Sequence, residues 1–148
     1  MEIRRYEQRD LVPVAQLFND YREFYDQRPD QALAIRFIAE RQQADDSVIL
    51  VADSGGGQLV GFCQLYPSFC SVAAAPIYVL YDLFVAPDAR RSGVARSLLK
   101  TAAARAKTDG RVRMDLTTAK TNVKAQALYE SLGWSRDEIF YTYNLNLD

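Results

Sequence analysis

The sequence contains no histidine. That absence removes the commonest general base, the Ser-His and Cys-His nucleophile pairs, and the usual nitrogen ligand of zinc, so no metal site is expected. There are 2 cysteines, Cys63 and Cys70, too few for a disulfide scaffold. Their odd separation in one extended run points them to opposite faces, and both are read as small buried hydrophobes. No stretch approaches the roughly 18 apolar residues of a spanning helix. Met1-Glu2-Ile3-Arg4-Arg5 runs into a strand-like pattern without a signal-peptide core, so the expectation is a cytoplasmic protein with no membrane partner. A net charge of −1 supplies no field for nucleic acid. Any chemistry must run on carboxylates, tyrosines, backbone groups or water.

What is present is an ordinary globular mixture. The 148 residues are 49% hydrophobic and 25% charged, which predicts one domain over residues 1–148. Glu2 to Tyr6 reads as a first strand. Asp10 is placed to cap a helix whose Leu11, Val14, Leu17, Phe18 and Tyr21 recur at helical spacing until Pro29. Asp30 is placed to cap a second helix that fades between Arg41 and Asp46. Ser47 to Ala52 and Gln58 to Tyr66 read as a hairpin about the glycine-rich turn Asp53 to Gly57. Pro67 to Pro76 reads as a loop, and Ile77 to Val85, almost continuously apolar, as a central strand. A helix runs from Gly93 to a stop at Gly110, a strand over Arg111 to Thr118, and a helix from its cap Asn122 to Gly133. Ile139 to Leu145 is β-rich and is expected to close the sheet. Strands first in a meander and then alternating with helices give a mixed α/β sheet flanked by helices.

Chemistry concentrates where the central strand meets the alanine-rich helix. Arg90, Arg91, Ser92, Gly93, Val94 and Ala95 bring positive side chains and free N–H groups to the positive end of a helix dipole, which is a site for phosphate or pyrophosphate. Gly93 and Ala95 let a bulky anion approach the main chain. A P-loop and a dinucleotide-binding glycine pattern are both absent, which weakens the ATPase and dehydrogenase readings without touching the phosphate site itself.

Arg90-x-x-Gly93-x-Ala95, following Leu83-Phe84-Val85-Ala86-Pro87, resembles the Gln/Arg-x-x-Gly-x-Gly/Ala signature of the GCN5-related N-acetyltransferases (GNAT), with Ala95 where glycine is commoner. Asn122-x-x-Ala125-x-x-Leu128-Tyr129, followed by Ser131-Leu132-Gly133-Trp134, is similar to a second motif of that family. The resemblance implies a mixed sheet of roughly six to seven strands with splayed central strands and about four helices. It also implies acetyl-CoA as co-substrate, bound by Leu83, Phe84 and Val85, by Arg90 through Ala95 with Arg96, and by Asn122, Ala125 and Leu128. Tyr129 is implied as general acid, since a phenol with pKa about 10 suits a thiol leaving group. The amine attacks directly in the family mechanism, so no covalent enzyme intermediate is needed.

An alkylamine of pKa about 10.4 is protonated at neutral pH, and freeing its lone pair costs roughly 4–5 kcal/mol. Asp82, a carboxylate inside an apolar strand, is a candidate base or acceptor contact. Tyr81-Asp82 stands where polyamine acetyltransferases carry an acidic pair, so only one acid is retained. Tyr21, Tyr25, Asp26, Tyr81 and Glu138 are candidate acceptor contacts for a small cationic amine such as a polyamine or amino acid. The alternatives are an enzyme acting on protein lysines or N-termini and a non-catalytic acyl-CoA-binding module. The apolar C-terminal run and its tyrosines suggest a homodimer.

Overall fold

The computed structural model describes residues 1–147 in two compact units, the first Met1–Thr117 and the second starting at Thr118. The first contains β1 (Glu2–Arg5), α1 (Leu11–Phe24), α2 (Gln31–Ala44), β2 (Val48–Asp53), β3 (Leu59–Cys70), β4 (Ala75–Val85), α3 (Val94–Thr108) and β5 (Met114–Asp115), with single 3-10 turns before α1 and α3. The second contains α4 (Val123–Ser131). No described helix is long and apolar enough to cross a membrane.

The strands form one 5-stranded sheet in chain order. β1 to β4 run antiparallel, and β5 returns parallel to β4 through the α3 crossover. Alternation sorts each strand between two layers. Ile49, Val51, Phe62 and Phe84 form one core with Val14, Leu17 and Phe18 of α1 and Ala34 and Ile38 of α2. Residues of the opposite parity meet α3, whose Leu98, Leu99 and Ala102 are buried. Gly61 lets that helix approach, because a Cβ there would lie 3.0 Å from the Phe84 carbonyl oxygen and 3.2 Å from Val94 Cγ1.

β4 and β5 pair only through Tyr78↔Met114 and Val79↔Asp115. Beyond Val79, β4 continues through Leu80 to Val85 with no strand on that side among the described residues. This is the splay expected of the central strands.

Several expectations need correction. The segment Pro67 to Pro76 is a hairpin rather than a loop, with β3 reaching Cys70, β4 starting at Ala75, and only residues 71–74 turning. Pro67 and Pro76 sit in paired strands, so proline misled the reading. The sheet has 5 strands, fewer than the six to seven expected. Residues 139–145 form no strand, because β propensity expresses fit to a neighbouring strand and these residues pair with none. Asp10 stands at the start of α1 but makes no side-chain cap. Its carboxylate is instead held by Arg4, Nη1 donating at 2.8 Å and Nη2 at 2.9 Å, and by the Glu7 N–H at 2.7 Å. Arg4 also reaches Asp53 at 3.1 Å, so one guanidinium ties β1, β2 and the entry to α1. Asp30 does cap α2, accepting from the Leu33 N–H at 3.0 Å. Both cysteines are free thiols, and Cys63 is buried while Cys70 is only half-buried.

Candidate functional site

Three polar residues cross the α1 and α2 face of the sheet in a row. Ile49 pairs with Gln64 and Gln64 with Asp82, while Ser47 lies two residues before Ile49 on the same face. All three are buried: Ser47 is 3% exposed, Gln64 0% and Asp82 3%. Ser47 Oγ donates to Gln64 Oε1 at 2.8 Å, and Gln64 Nε2 donates to Asp82 Oδ2 at 2.5 Å. Burial disfavours the ionised carboxylate and lifts Asp82 to about 6, against the opposing effects of the Gln64 hydrogen bond and the nearby Tyr21 phenol. A carboxyl poised there can exchange a proton near neutral pH.

The bulge explains how this carboxylate comes to face the site. Register between β3 and β4 shifts from Gln64↔Asp82 to Leu65↔Leu80, which leaves Tyr81 unpaired and turned outward. Its ring is 66% exposed, and its carbonyl accepts a 3.1 Å hydrogen bond from the Tyr21 phenol on α1. Tyr25 packs edge-on to Tyr21 at 5.2 Å, and Tyr66 stands 5.6 Å from Tyr81. Tyr21 and Tyr66 therefore stand beside a buried acid, with Tyr25 packed on Tyr21 and Tyr81 on Tyr66, an arrangement whose ring faces and single negative charge suit a cation. Burial, followed by the Asp82 charge, raises the phenols of Tyr21 and Tyr66 and keeps them neutral.

Of the candidate acceptor residues, Tyr21, Tyr25 and Tyr81 gather about Asp82. Asp26 does not join them: it is exposed, at φ 64 just past the end of α1. Glu138 lies in the second unit, exposed and paired with Arg136 at 3.1 Å. Composition gave no reason to select Gln64, Ser47 or Tyr66. The available signal was Gln64 itself, a polar side chain at the parity of Phe62 in an apolar strand.

At the end of β4 the chain turns through Pro87–Ala89 into the loop before α3. Arg90 is anchored to the strand that precedes it. Its Nε donates to the Val85 carbonyl at 2.9 Å, and its guanidinium lies 5.3 Å from the centre of the Phe84 ring. Arg90 thus braces the loop on the strand it leaves. Ser92 Oγ bonds to the Ala89 carbonyl. Arg91 and Gly93 both take left-handed conformations, at φ 65 and 83, and Gly93 is the N-cap of α3. The Ser97 N–H closes the first helical bond to Gly93, which leaves the N–H groups of Val94 and Ala95 at the open end of the helix. A Cβ at Gly93 would meet nothing within 4 Å, so the cradle is open on that side. This donor set fits a pyrophosphate.

In the second unit, Asn122 is the N-cap of α4 and its Oδ1 accepts from the Ala125 N–H at 3.2 Å. Asn122, Ala125, Leu128 and Tyr129 are all half-buried and recur on one helical face. The Tyr129 ring lies 6.1 Å from that of Trp134. Among the described residues no group of acidic, cysteine or histidine side chains could hold a metal ion.

Comparison with known proteins matches residues 12–134 to the model of the acetyltransferase (GNAT) family. The uncharacterized N-acetyltransferase YhfO of Bacillus subtilis is 43% identical over 147 residues, covering 99% of this chain and 98% of its own. A crystal structure of a probable acetyltransferase superposes with TM-score 0.93 at 38% identity, covering 100% of this chain and 99% of that one. The structure of AAC(6')-Iy in complex with the bisubstrate analog CoA-S-monomethyl-acetylneamine shares the fold, with TM-score 0.81 at 23% identity over 99% of this chain and 98% of that one.

Proposed function

Since this chain belongs to the GNAT acetyltransferase family, we propose that it moves the acetyl group of acetyl-CoA directly to a primary amine on a small cationic molecule. The observation that carries the acceptor class is Asp82, buried, lifted to about 6 by that burial, with Tyr21 and Tyr66 beside it and Tyr25 and Tyr81 packed on those rings. A polyamine, an amino acid or an amino sugar would present the required cation. AAC(6')-Iy, which shares the fold, is complexed with an analog that contains CoA.

The N–H groups of Val94 and Ala95, with the loop from Arg90 to Gly93, would hold the pyrophosphate of acetyl-CoA, and Arg96 is assigned to the same co-substrate by motif. Leu83, Phe84 and Val85, on the unpaired side of β4, would line its acyl end, where a strand N–H can face a developing oxyanion. Asn122, Ala125 and Leu128 are assigned to the same co-substrate by motif. When bound, acetyl-CoA supplies an electrophilic carbonyl carbon and a thiol leaving group.

Asp82 takes one proton from the acceptor ammonium, and the lone pair so freed forms the new C–N bond. Tyr129 gives its phenolic proton to the sulfur as the C–S bond breaks, and the second N–H proton of the amine restores the phenol directly or through water. The products are an N-acetylated amine, CoA thiol and the proton left on Asp82, which passes to solvent. The C-terminal run Ile139 to Leu145, its apolar side chains exposed, supports a homodimer. The free thiols Cys63 and Cys70 support a reducing, cytoplasmic setting.

A thiol-release assay with acetyl-CoA against polyamines, amino acids, aminoglycosides and short peptides tests this reading. Turnover is expected with a small di- or polyvalent amine. Turnover with peptides alone would replace that acceptor class, and CoA binding without turnover on any acceptor would leave a binding module. Tyr129→Phe is expected to slow release about 10²-fold and to remove the basic limb of the rate profile.

A further inference from the structure

Gln64 is an unusual occupant of its position. It is fully buried between Phe62 and Tyr66 on the face that packs against α1 and α2, where leucine or methionine would fill the same space. A buried amide is costly unless its groups are bonded. Here they are: Oε1 accepts from Ser47 Oγ at 2.8 Å and Nε2 donates to Asp82 Oδ2 at 2.5 Å. Gln42 Nε2 approaches Ser47 Oγ at 3.4 Å as a donor, which turns the serine hydroxyl proton toward Gln64. A flipped amide would set Oε1 against the carboxylate, two acceptors face to face. The amide orientation is therefore determined by its neighbours.

We infer that Gln64 is a positioning residue for acyl transfer: anchored by Ser47, it holds Oδ2 of Asp82 as an acceptor and reserves Oδ1 to receive the proton of the amine. The inference rests on the reading of Asp82 as the base. An amide NH2 only donates, so a proton on Oδ2 would break the Gln64 bond, whereas a proton on Oδ1 leaves it intact. The remaining titratable groups within electrostatic reach of the carboxyl are Tyr21 from α1, Tyr66 from β3 and, on the opposite face of the sheet, Cys63 of β3, with Tyr81 beside it on its own strand. The Arg41 and Asp46 pair acts on Tyr66 from the end of α2. Burial drives the phenols of Tyr21 and Tyr66 upward and the Cys63 thiol to about 12, so these remain neutral while Asp82 titrates. Gln64 is thus a fixed dipole beside a single working acid, and losing it removes a donor that favours the charged form.

The test uses the full chain with Gln64→Leu and Ser47→Ala, each checked by circular dichroism and thermal melting. Two quantities are read from each protein: the titration of the Asp82 carboxyl carbon by 13C NMR, and the pH profile of kcat/KM with the best amine of the screen. In Gln64→Leu both the titration and the acid limb are expected to move up by about one pH unit, with kcat/KM falling about five-fold more at pH 6 than at pH 8. Ser47→Ala should shift both in the same direction by less. A folded Gln64→Leu protein whose carboxyl titrates as in the parent would overturn the inference, leaving Gln64 as packing. If the carboxyl moves but the acid limb stays, Asp82 is not the base, and the role of Gln64 in the reaction falls with it. Should Gln64→Leu fail to fold, the same two readings on Ser47→Ala decide the matter.

Discussion

The phenol of Tyr21 on α1 donates to the main-chain carbonyl of Tyr81, the residue that the β4 bulge turns outward. One hydrogen bond thus ties the first helix to the irregular point of the central strand. Removing it in Tyr21→Phe keeps the ring stack and loses about 1 kcal/mol of positioning. The KM for the amine is expected to rise about 3- to 10-fold while the KM for acetyl-CoA stays constant. Steady-state kinetics with each substrate varied in turn checks this.

Asp82→Asn removes the proposed base and is expected to lower kcat/KM about 10²- to 10³-fold. In the parent, activity should fall as pH drops below about 6, the value to which burial raises this carboxyl, and the variant should lack that limb. Stability moves the other way. The folded pKa lies above the unfolded one, so the folded state holds the proton more tightly, and stability from this group is full below about 4 and lost as pH rises through 6. At pH 7.5 the variant should therefore unfold at higher urea than the parent, with a gain on the order of 2–3 kcal/mol.

Asp10 has the opposite sign. The Arg4 guanidinium holds its carboxyl below the usual range, so its stabilisation is present above about 4 and is lost as pH falls below that. Asp10→Ala leaves Arg4, whose side chain is only 11% exposed, with Asp53 alone. A loss of about 3 kcal/mol is expected at pH 7, and less at pH 3, by urea titration at both pH values.

Two glycines should fail differently when changed to alanine. At Gly93 the space is open and the penalty is the left-handed backbone, φ 83, worth about 1 kcal/mol and expressed as weaker CoA binding by calorimetry. At Gly61 a Cβ would lie 3.0 Å from the Phe84 carbonyl oxygen of β4 and 3.2 Å from Val94 Cγ1 of α3, so both the paired strand and the start of the helix must give way. Gly61→Ala is expected to cost about 1–3 kcal/mol in global stability.

Much of the fold was legible because it is written in local rules. Asp30 and Asn122 precede helices at capping distance, and both carboxamide and carboxylate caps form. Apolar spacing located α1 to α4, and an almost unbroken apolar run located β4. Where the reading failed, the deciding interaction lay far along the chain. Pro67 and Pro76 read locally as loop residues but lie in strands that pair with each other. Residues 139–145 read as a strand, but a strand exists only with a neighbour to pair with.

The candidate site divides along the same line. Arg90 through Ala95 was recognisable from sequence, because a left-handed glycine at the head of a helix is a property of a few adjacent residues. The engagement of Arg90 with Phe84 and the Val85 carbonyl was not, since cation–π contact depends on where a folded ring comes to lie. Asp82 stood out as a charge in an apolar strand, which sequence alone determined. That Gln64, Tyr21 and Tyr66 lie beside it, with Ser47 bonded to Gln64 and with Tyr25 and Tyr81 packed on the two rings, was decided only by strand register and by a one-residue bulge, which set side chains from β3, β4, α1 and the residue before β2 within hydrogen-bonding and ring-contact distance.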